Sequence, residues 1–326
     1  MQRAIRQAVE QIALDAMRNS PDIPEMAREA ANETVRGAMP ELKKIIHERV
    51  VEAHRKAAPV TLSVQLPGRP EVTVERETHR LLPDVLLALG AACHLLLVGP
   101  AGTGKSHMAK HAAAALGLSF HALSLGPTTP MSKVFGYLDA EGNYRGTPFR
   151  AAYEHGGVML LDELDNGHPG LLAELNQALA IGCCAFADGM VDAHPEFRLV
   201  ATANTYGHGG DHQYVGRQAL DAATLDRFTV IDIPVDPGLE ERLVAAHAPS
   251  QLAEALRLLA EVRKLRATAK RKRLPLVFSP RASIDGAKLL EAGATWEQAL
   301  SWRVTRGLSN AHRQALGLGF ANDAAQ

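Results

Sequence analysis

Five short apolar runs dominate the middle of the chain: HLLLVG (94–99), FHALSL (120–125), GVMLLD (157–162), FRLVATAN (197–204) and FTVIDIPV (228–235). Each has the length of a strand, and each is too continuously apolar to suit a sheet with one wet face. Helix-like stretches separate most of them, and alternation of this kind implies a parallel sheet covered by helices. The expected fold class is therefore α/β. With 326 residues, 46% of them hydrophobic, the chain is long enough for one large core or two modest ones.

The flanks read differently. Residues 2–18 and 24–38 have helical spacing, and Pro40 opens a third stretch in which Leu42, Ile45, Ile46 and Val50 share one face. This start is an N-terminal helical module over 1–58, with no chemistry visible in it. VTLSVQL and EVTVERE, on either side of PGRP, alternate with period two and predict a hairpin. Beyond Pro237 the strand-like runs stop and the pattern is helical. The expected boundaries are 1–58, 59–236 for the α/β domain, and 237–326 for a helical subdomain.

The first apolar run leads into GPAGTGKS, residues 99–106, which fits G-x-x-x-x-G-K-S/T with Gly99, Gly104, Lys105 and Ser106 at the fixed positions. Glycines let the backbone curl so that successive N–H groups face phosphate oxygens. Lysine then reaches the β- and γ-phosphates and the serine hydroxyl can hold Mg²⁺. The motif follows a buried strand and opens a helix, as the chemistry requires. The expected nucleotide contacts are Gly99, Pro100, Ala101, Gly102, Thr103, Gly104, Lys105, Ser106 and His107, the last in the first turn of that helix, whose N-terminus favours anions.

GVMLLDELD ends its apolar run on Asp162 and Glu163. Facing a phosphate cradle, Asp162 would hold Mg²⁺ and Glu163 would polarise the water that attacks a γ-phosphate. A solvated acidic turn is the alternative for the pair in isolation. Asp165 reads as a loop or helix-capping group. Asn204 ends the FRLVATAN run, where an amide could orient water; a simple turn asparagine is the other reading. In ALDAATLDRFTVIDIPV, Arg227 stands at the mouth of a strand with no carboxylate in its own local pattern to claim it.

Cradle, carboxylate pair, strand-end Asn, LDRF and SPR (279–281) occur in that order, and the chain resembles the AAA+ ATPases, P-loop NTPases. The likeness is to the branch of MoxR-type ATPases, dynein-like modules and CobS-like chelatase ATPases with their phage relatives, and it covers roughly residues 80–290. It rests most heavily on HPEFRLVATANTYGHGGDHQYVGRQALDAATLDRF, residues 194–228. The resemblance implies ATP and Mg²⁺ as cofactors, Asn204 as the first sensor, Arg227 as an arginine finger acting on a neighbouring subunit, and Arg281 as the second sensor on a helical lid. Arg217, in YVGRQ, is either a second trans-acting arginine or a surface loop residue. A homo-oligomeric ring, a hexamer, follows from the resemblance. So does a protein client, in this branch often one with a von Willebrand factor A domain.

The resemblance also implies two inserted hairpins: MSKVFGYLDAEGNYRGTPF, turning at Gly142–Asn143, and CAFADGMVDAHPEF, turning at Asp188–Gly189. Phe135 is assigned to packing, while Tyr137 and Tyr144 are either packing or substrate-facing.

Other signals are weaker. His208, Asp211 and His212 lie in a glycine-rich loop without a fourth ligand at a usual spacing, so a metal site is not expected there. RKLRATAKRKR (263–273) has seven Lys or Arg in eleven positions but no interleaved aromatics, so a solvated basic face competes with nucleic-acid binding. The 35 basic and 36 acidic residues nearly cancel, which gives no global field for a polyanion. Cys93, Cys183 and Cys184 lack metal or redox spacing, and no apolar run is long enough to span a bilayer, so a cytoplasmic protein with no membrane partner is expected, and the resemblance implies a bacterium or its phage as the source. The reading that follows is a Mg²⁺-dependent ring ATPase that remodels a protein, against a nucleic-acid motor or loader or the ATPase subunit of a metal chelatase.

Overall fold

The computed structural model describes residues 77–319, together with the backbone of strands β1 (Leu62–Val64) and β2 (Val72–Val74). The N-terminal helices expected over 1–58 lie outside the described residues. β1 and β2 pair antiparallel, Ser63 opposite Thr73, as the period-two pattern predicts.

The centre is a parallel five-stranded sheet in the order β11-β3-β10-β7-β4, made by β3 (Leu95–Val98), β4 (Phe120–Ser124), β7 (Gly157–Asp162), β10 (Phe197–Ala203) and β11 (Thr229–Asp232). Its five strands are the five apolar runs. They are not equally buried. β3, β7 and β10 are inner strands and almost wholly buried, whereas β4 and β11 are the edges and leave residues such as Val230 in solvent. Hydrophobicity alone does not distinguish an edge strand from an inner one, because the difference lies in what pairs with it.

Successive side chains along a strand point to opposite faces. Leu95, Leu97, Val158, Leu160 and Val200 therefore meet helices α1 (Leu82–Gly90) and α2 (Lys105–Ala115) on one face. Alanines 109, 112 and 113 of α2 are fully buried there. Leu96, Val98, Met159, Leu161, Leu199 and Ala201 form the opposite core with α4 (Pro148–His155) and α5 (Pro169–Ile181); the short helix before them is α3 (Met131–Phe135).

Both expected hairpins are present, β5 (Tyr137–Leu138) with β6 (Tyr144–Arg145) and β8 (Cys183–Phe186) with β9 (Gly189–Asp192). Their bases are held by one aromatic cluster. Phe135 stacks edge-on to Phe149, and the Arg150 guanidinium lies 5.0 Å from the Tyr144 ring and 4.4 Å from that of Phe186. Phe135 is thus a packing residue. Tyr144 also turns inward, its hydroxyl donating to the Phe135 carbonyl at 2.9 Å, whereas Tyr137 is 52% exposed.

After β11 the chain is helical: α6 (Ala222–Leu225) precedes that strand, and α7 (Pro237–His247), α8 (Leu252–Arg271), α9 (Pro280–Glu291), α10 (Trp296–Leu300) and α11 (Asn310–Leu316) follow it. Val244, Leu258, Leu265 and Ala287 lie in their common core. Beside it Glu240, only 2% exposed, accepts from Arg266 at 2.7 and 3.0 Å and from the Ser283 hydroxyl at 2.7 Å, with Arg263 at 3.4 Å. Two residues of the basic run are therefore internal counter-charges, while Lys264, Lys270, Arg271, Lys272 and Arg273 are exposed.

Candidate functional site

Strand order assembles the site. β10 lies between β3 and β7, so the loop after β3, the carboxylates that end β7, and Thr202 and Asn204 of the β10 end meet at one edge of the sheet. Gly99 opens that loop against the neighbouring chain: a Cβ there would stand 2.1 Å from the Ile233 carbonyl oxygen. Gly104, at φ 91°, takes the left-handed conformation that starts α2. Lys105, Ser106 and His107 then border the cavity with the first turn of α2, whose N–H groups have no intrahelical acceptors.

Lys105 is folded back into the loop. Its Nζ donates to the carbonyls of Gly99 (2.7 Å) and Pro100 (3.1 Å) and to Asn204 Oδ1 (3.0 Å). Burial pulls its pKa down to about 8; Asp162 and Asp165 oppose the shift, and Arg281 and Arg217 add to it. The amine is therefore held ready for an anion without a carboxylate bonded to it.

Asp162 and Thr202 occupy the sheet face covered by α2. Ser106 Oγ donates to both carboxylate oxygens of Asp162 at 3.0 Å, and Thr202 Oγ1 donates to Asp162 Oδ1. Thr202 Oγ1 also accepts the Glu163 N–H at 3.0 Å. Glu163 has φ 62°, unusual for a residue with a side chain, and this turn away from the strand carries its carboxylate to the cavity. The Ser106 hydroxyl and Asp162 carboxylate are hard oxygen donors of the kind Mg²⁺ prefers. No group of three or more His, Cys, Asp or Glu able to hold a metal occurs among the described residues, so an ion there would draw most of its ligands from phosphate and water.

Asp165 is a structural centre, contrary to the loop or capping role expected of it. Its side chain is fully buried; Oδ2 accepts from the N–H groups of Asn204 (3.0 Å) and Thr205 (3.1 Å) and from Thr205 Oγ1 (3.0 Å). Arg217 donates to Asp165 Oδ1 and to Glu163 Oε1, both at 3.3 Å. Tyr214, from the same loop, accepts the Ala101 N–H on its hydroxyl at 3.0 Å. Sequence reading missed Thr202, Asp165 and Tyr214 as site residues. Their signal is long-range pairing, which no local motif carries.

The cavity, about 810 Å³, is closed on its other side by the helical subdomain. α7 brings Leu239 and Leu243, and α9 brings Arg281, Ile284 and Lys288. Ala101 to Ser106, His107, Asp162, Glu163, Asn204 and Arg281 all line it, whereas Gly99 and Pro100 contribute the carbonyls that hold Lys105. A basic, glycine-bordered cradle beside an apolar wall fits a phosphate ester with a flat apolar group. Arg227 is elsewhere. It donates to the carbonyls of Asn176 (3.0 Å) and Ala223 (2.5 Å), and no carboxylate among the described residues forms an ion pair with it.

Residues 94–228 match the AAA domain family of the dynein-related subfamily. Among curated proteins, the chain is 25% identical over 174 residues to the uncharacterized protein YojN of Bacillus subtilis (strain 168), covering 50% of this chain and 55% of that one. It is 34% identical over 84 residues to the aerobic cobaltochelatase subunit CobS of Sinorhizobium sp, covering 24% and 25%. It is 28% identical over 230 residues to the gas vesicle ATPase GvpN of Ancylobacter aquaticus, covering 62% and 61%. The chain thus spans between a quarter and about three fifths of the length of these relatives. A parallel sheet, a phosphate-loop edge and a helical C-terminal region accompany this match, and residues 94–228 carry an AAA domain of the dynein-related subfamily.

Proposed function

We propose that the chain is a Mg²⁺-dependent ATPase that works as a homo-oligomeric ring, a hexamer, and remodels a protein client. The observation that carries the reading is the convergence of Lys105, Asn204, Asp162 and Glu163 on one cavity from the ends of three adjacent strands. In it, Lys105 binds the β- and γ-phosphates of ATP, and Ser106 and Asp162 hold the metal. When bound, Mg²⁺ neutralises charge on the phosphates. Asn204 orients a water, and Glu163 accepts its proton as the oxygen bonds to the γ-phosphorus and the bond to the bridging oxygen of ADP breaks. Arg281 reads the phosphates from the helical lid. Arg227, which donates to the Asn176 and Ala223 carbonyls and forms no ion pair among the described residues, is the residue that reaches the neighbouring subunit.

Two relatives, a gas vesicle ATPase and a cobaltochelatase subunit, suit by name an ATPase that serves a larger protein assembly. A von Willebrand factor A-domain protein is the client class proposed. The five basic side chains of 264–273 that remain exposed favour a second reading, a nucleic-acid-associated motor; its mark is hydrolysis stimulated by DNA or RNA and lost on neutralising Lys270 to Arg273.

The deciding experiment compares phosphate release from ATP by the wild type and Glu163→Gln, with and without Mg²⁺. Metal-dependent turnover that disappears in Glu163→Gln, with nucleotide binding retained, supports the reading. Equal release by both proteins refutes it.

A further inference from the structure

The loop between β10 and α6 is tied to the site at points that no local motif announces. Tyr214 takes the Ala101 N–H of the cradle, Arg217 bonds to Glu163 and Asp165, and the Gln218 N–H donates to the Asp165 carbonyl at 2.7 Å. A fully buried carboxylate needs a counter-charge. For Asp165 that charge is Arg217, whose side chain is 13% exposed. The planar guanidinium presents separate N–H donors to two acceptors at once, which an ammonium at a single point cannot reproduce. Here one donor goes to Asp165 and another to the half-exposed Glu163.

We propose that Arg217 is a positioning residue acting within its own chain: seated on buried Asp165, it fixes the carboxylate of Glu163 while the same Asp165 fixes the backbone of Asn204. The assignment rests on the hydrolytic role proposed for Glu163. It separates the two arginines of this region. Arg227 forms no ion pair with a carboxylate among the described residues, whereas the Arg217 guanidinium is engaged by two carboxylates of its own chain. Backbone geometry sets where the Glu163 side chain begins, through its positive φ and the Thr202 contact; Arg217 sets where the side chain ends.

Two measurements test this. The first needs no activity. A chain with Glu163→Cys and Arg217→Cys, its native cysteines replaced, is treated with a short bifunctional methanethiosulfonate and run on a denaturing gel. Bridged product at monomer mass is expected; a covalent dimer, or no bridge, overturns the proposal. The second is kinetic. Arg217→Ala should lower kcat about tenfold or more, as loss of positioning does, while the affinity for a fluorescent ADP analogue stays within about twofold. Arg217→Lys should restore only part of kcat. Unchanged kcat in Arg217→Ala overturns the positioning role, and recovery of activity on mixing Arg217→Ala with Glu163→Gln overturns action within one chain. If the wild type releases no more phosphate than Glu163→Gln, the hydrolytic reading fails, and the bridging result still decides where Arg217 binds.

Discussion

A single buried hydroxyl joins the two acidic residues at the end of β7: Thr202 Oγ1 donates to Asp162 and accepts the Glu163 N–H at 3.0 Å. Replacing Thr202 by Val keeps the shape and removes both bonds. Leaving the Glu163 N–H and one Asp162 oxygen without that partner costs about 1–3 kcal/mol. Urea unfolding of Thr202→Val should show this loss, and Thr202→Ser should recover most of it.

Lys105 makes nucleotide binding pH-dependent. Its amine titrates at about 8 in the free site because burial disfavours the charge. A phosphate in the cradle favours the charged form, so the complex has the higher pKa, and affinity falls as pH rises through the free-site value. Between pH 7 and pH 9 the loss should approach about tenfold, the factor for one pH unit beyond a pKa. Calorimetry of ADP binding in two buffers of different ionisation enthalpy should find net proton uptake at pH 8.5 and little at pH 6.5.

Arg227→Ala should retain nucleotide affinity and lose most hydrolysis. Mixed with Glu163→Gln, it should regain part of the activity at interfaces that pair an intact Glu163 with an intact Arg227. Phosphate release from the mixture, set against that of each variant alone, measures this.

Glu240 should set the acid limit of the helical subdomain. Burial works to raise its pKa, but bonds from Arg266 and Ser283 and the nearby Arg263 overcome this and hold it below the ordinary glutamate value. A depressed carboxylate pKa stabilises the folded state above the unfolded-chain value, and that contribution is lost as pH falls through the folded one. Unfolding followed by circular dichroism should therefore steepen below about pH 4.3. Arg266→Ala should cost about 3 kcal/mol by leaving the buried charge with Arg263 and Ser283 alone, whereas the exposed Lys270→Ala should stay within about 0.5 kcal/mol.

The contrast between Arg266 and Lys270 shows where the sequence can be read and where it cannot. Both lie in one basic run, yet Arg266 turns onto an acid 26 residues earlier in the chain. The cradle and the Asp162–Glu163 pair were legible because their chemistry is contiguous, and the five strands because their apolar runs are. Asp165 looked like a loop residue because two of its partners, Asn204 and Thr205, lie 39 and 40 residues away, just past the end of the strand that separates β3 from β7. Arg217 looked ambiguous for the same reason. Its acceptors are 52 and 54 residues upstream, and only the sheet order brings them together.

Gly99 begins the cradle where the chain passes Ile233, whose N–H donates to the Val98 carbonyl at 2.6 Å and whose carbonyl fills the space a Cβ would need. The segment from Ile233 to Asp236 is also the connection to α7, and the Pro234 carbonyl within it accepts a hydrogen bond from His79 Nε2 at 2.9 Å. Two tasks therefore share one bearing. The backbone that would seat a phosphate and the joint on which the helical subdomain hangs touch without slack, so neither can be displaced and leave the other at rest.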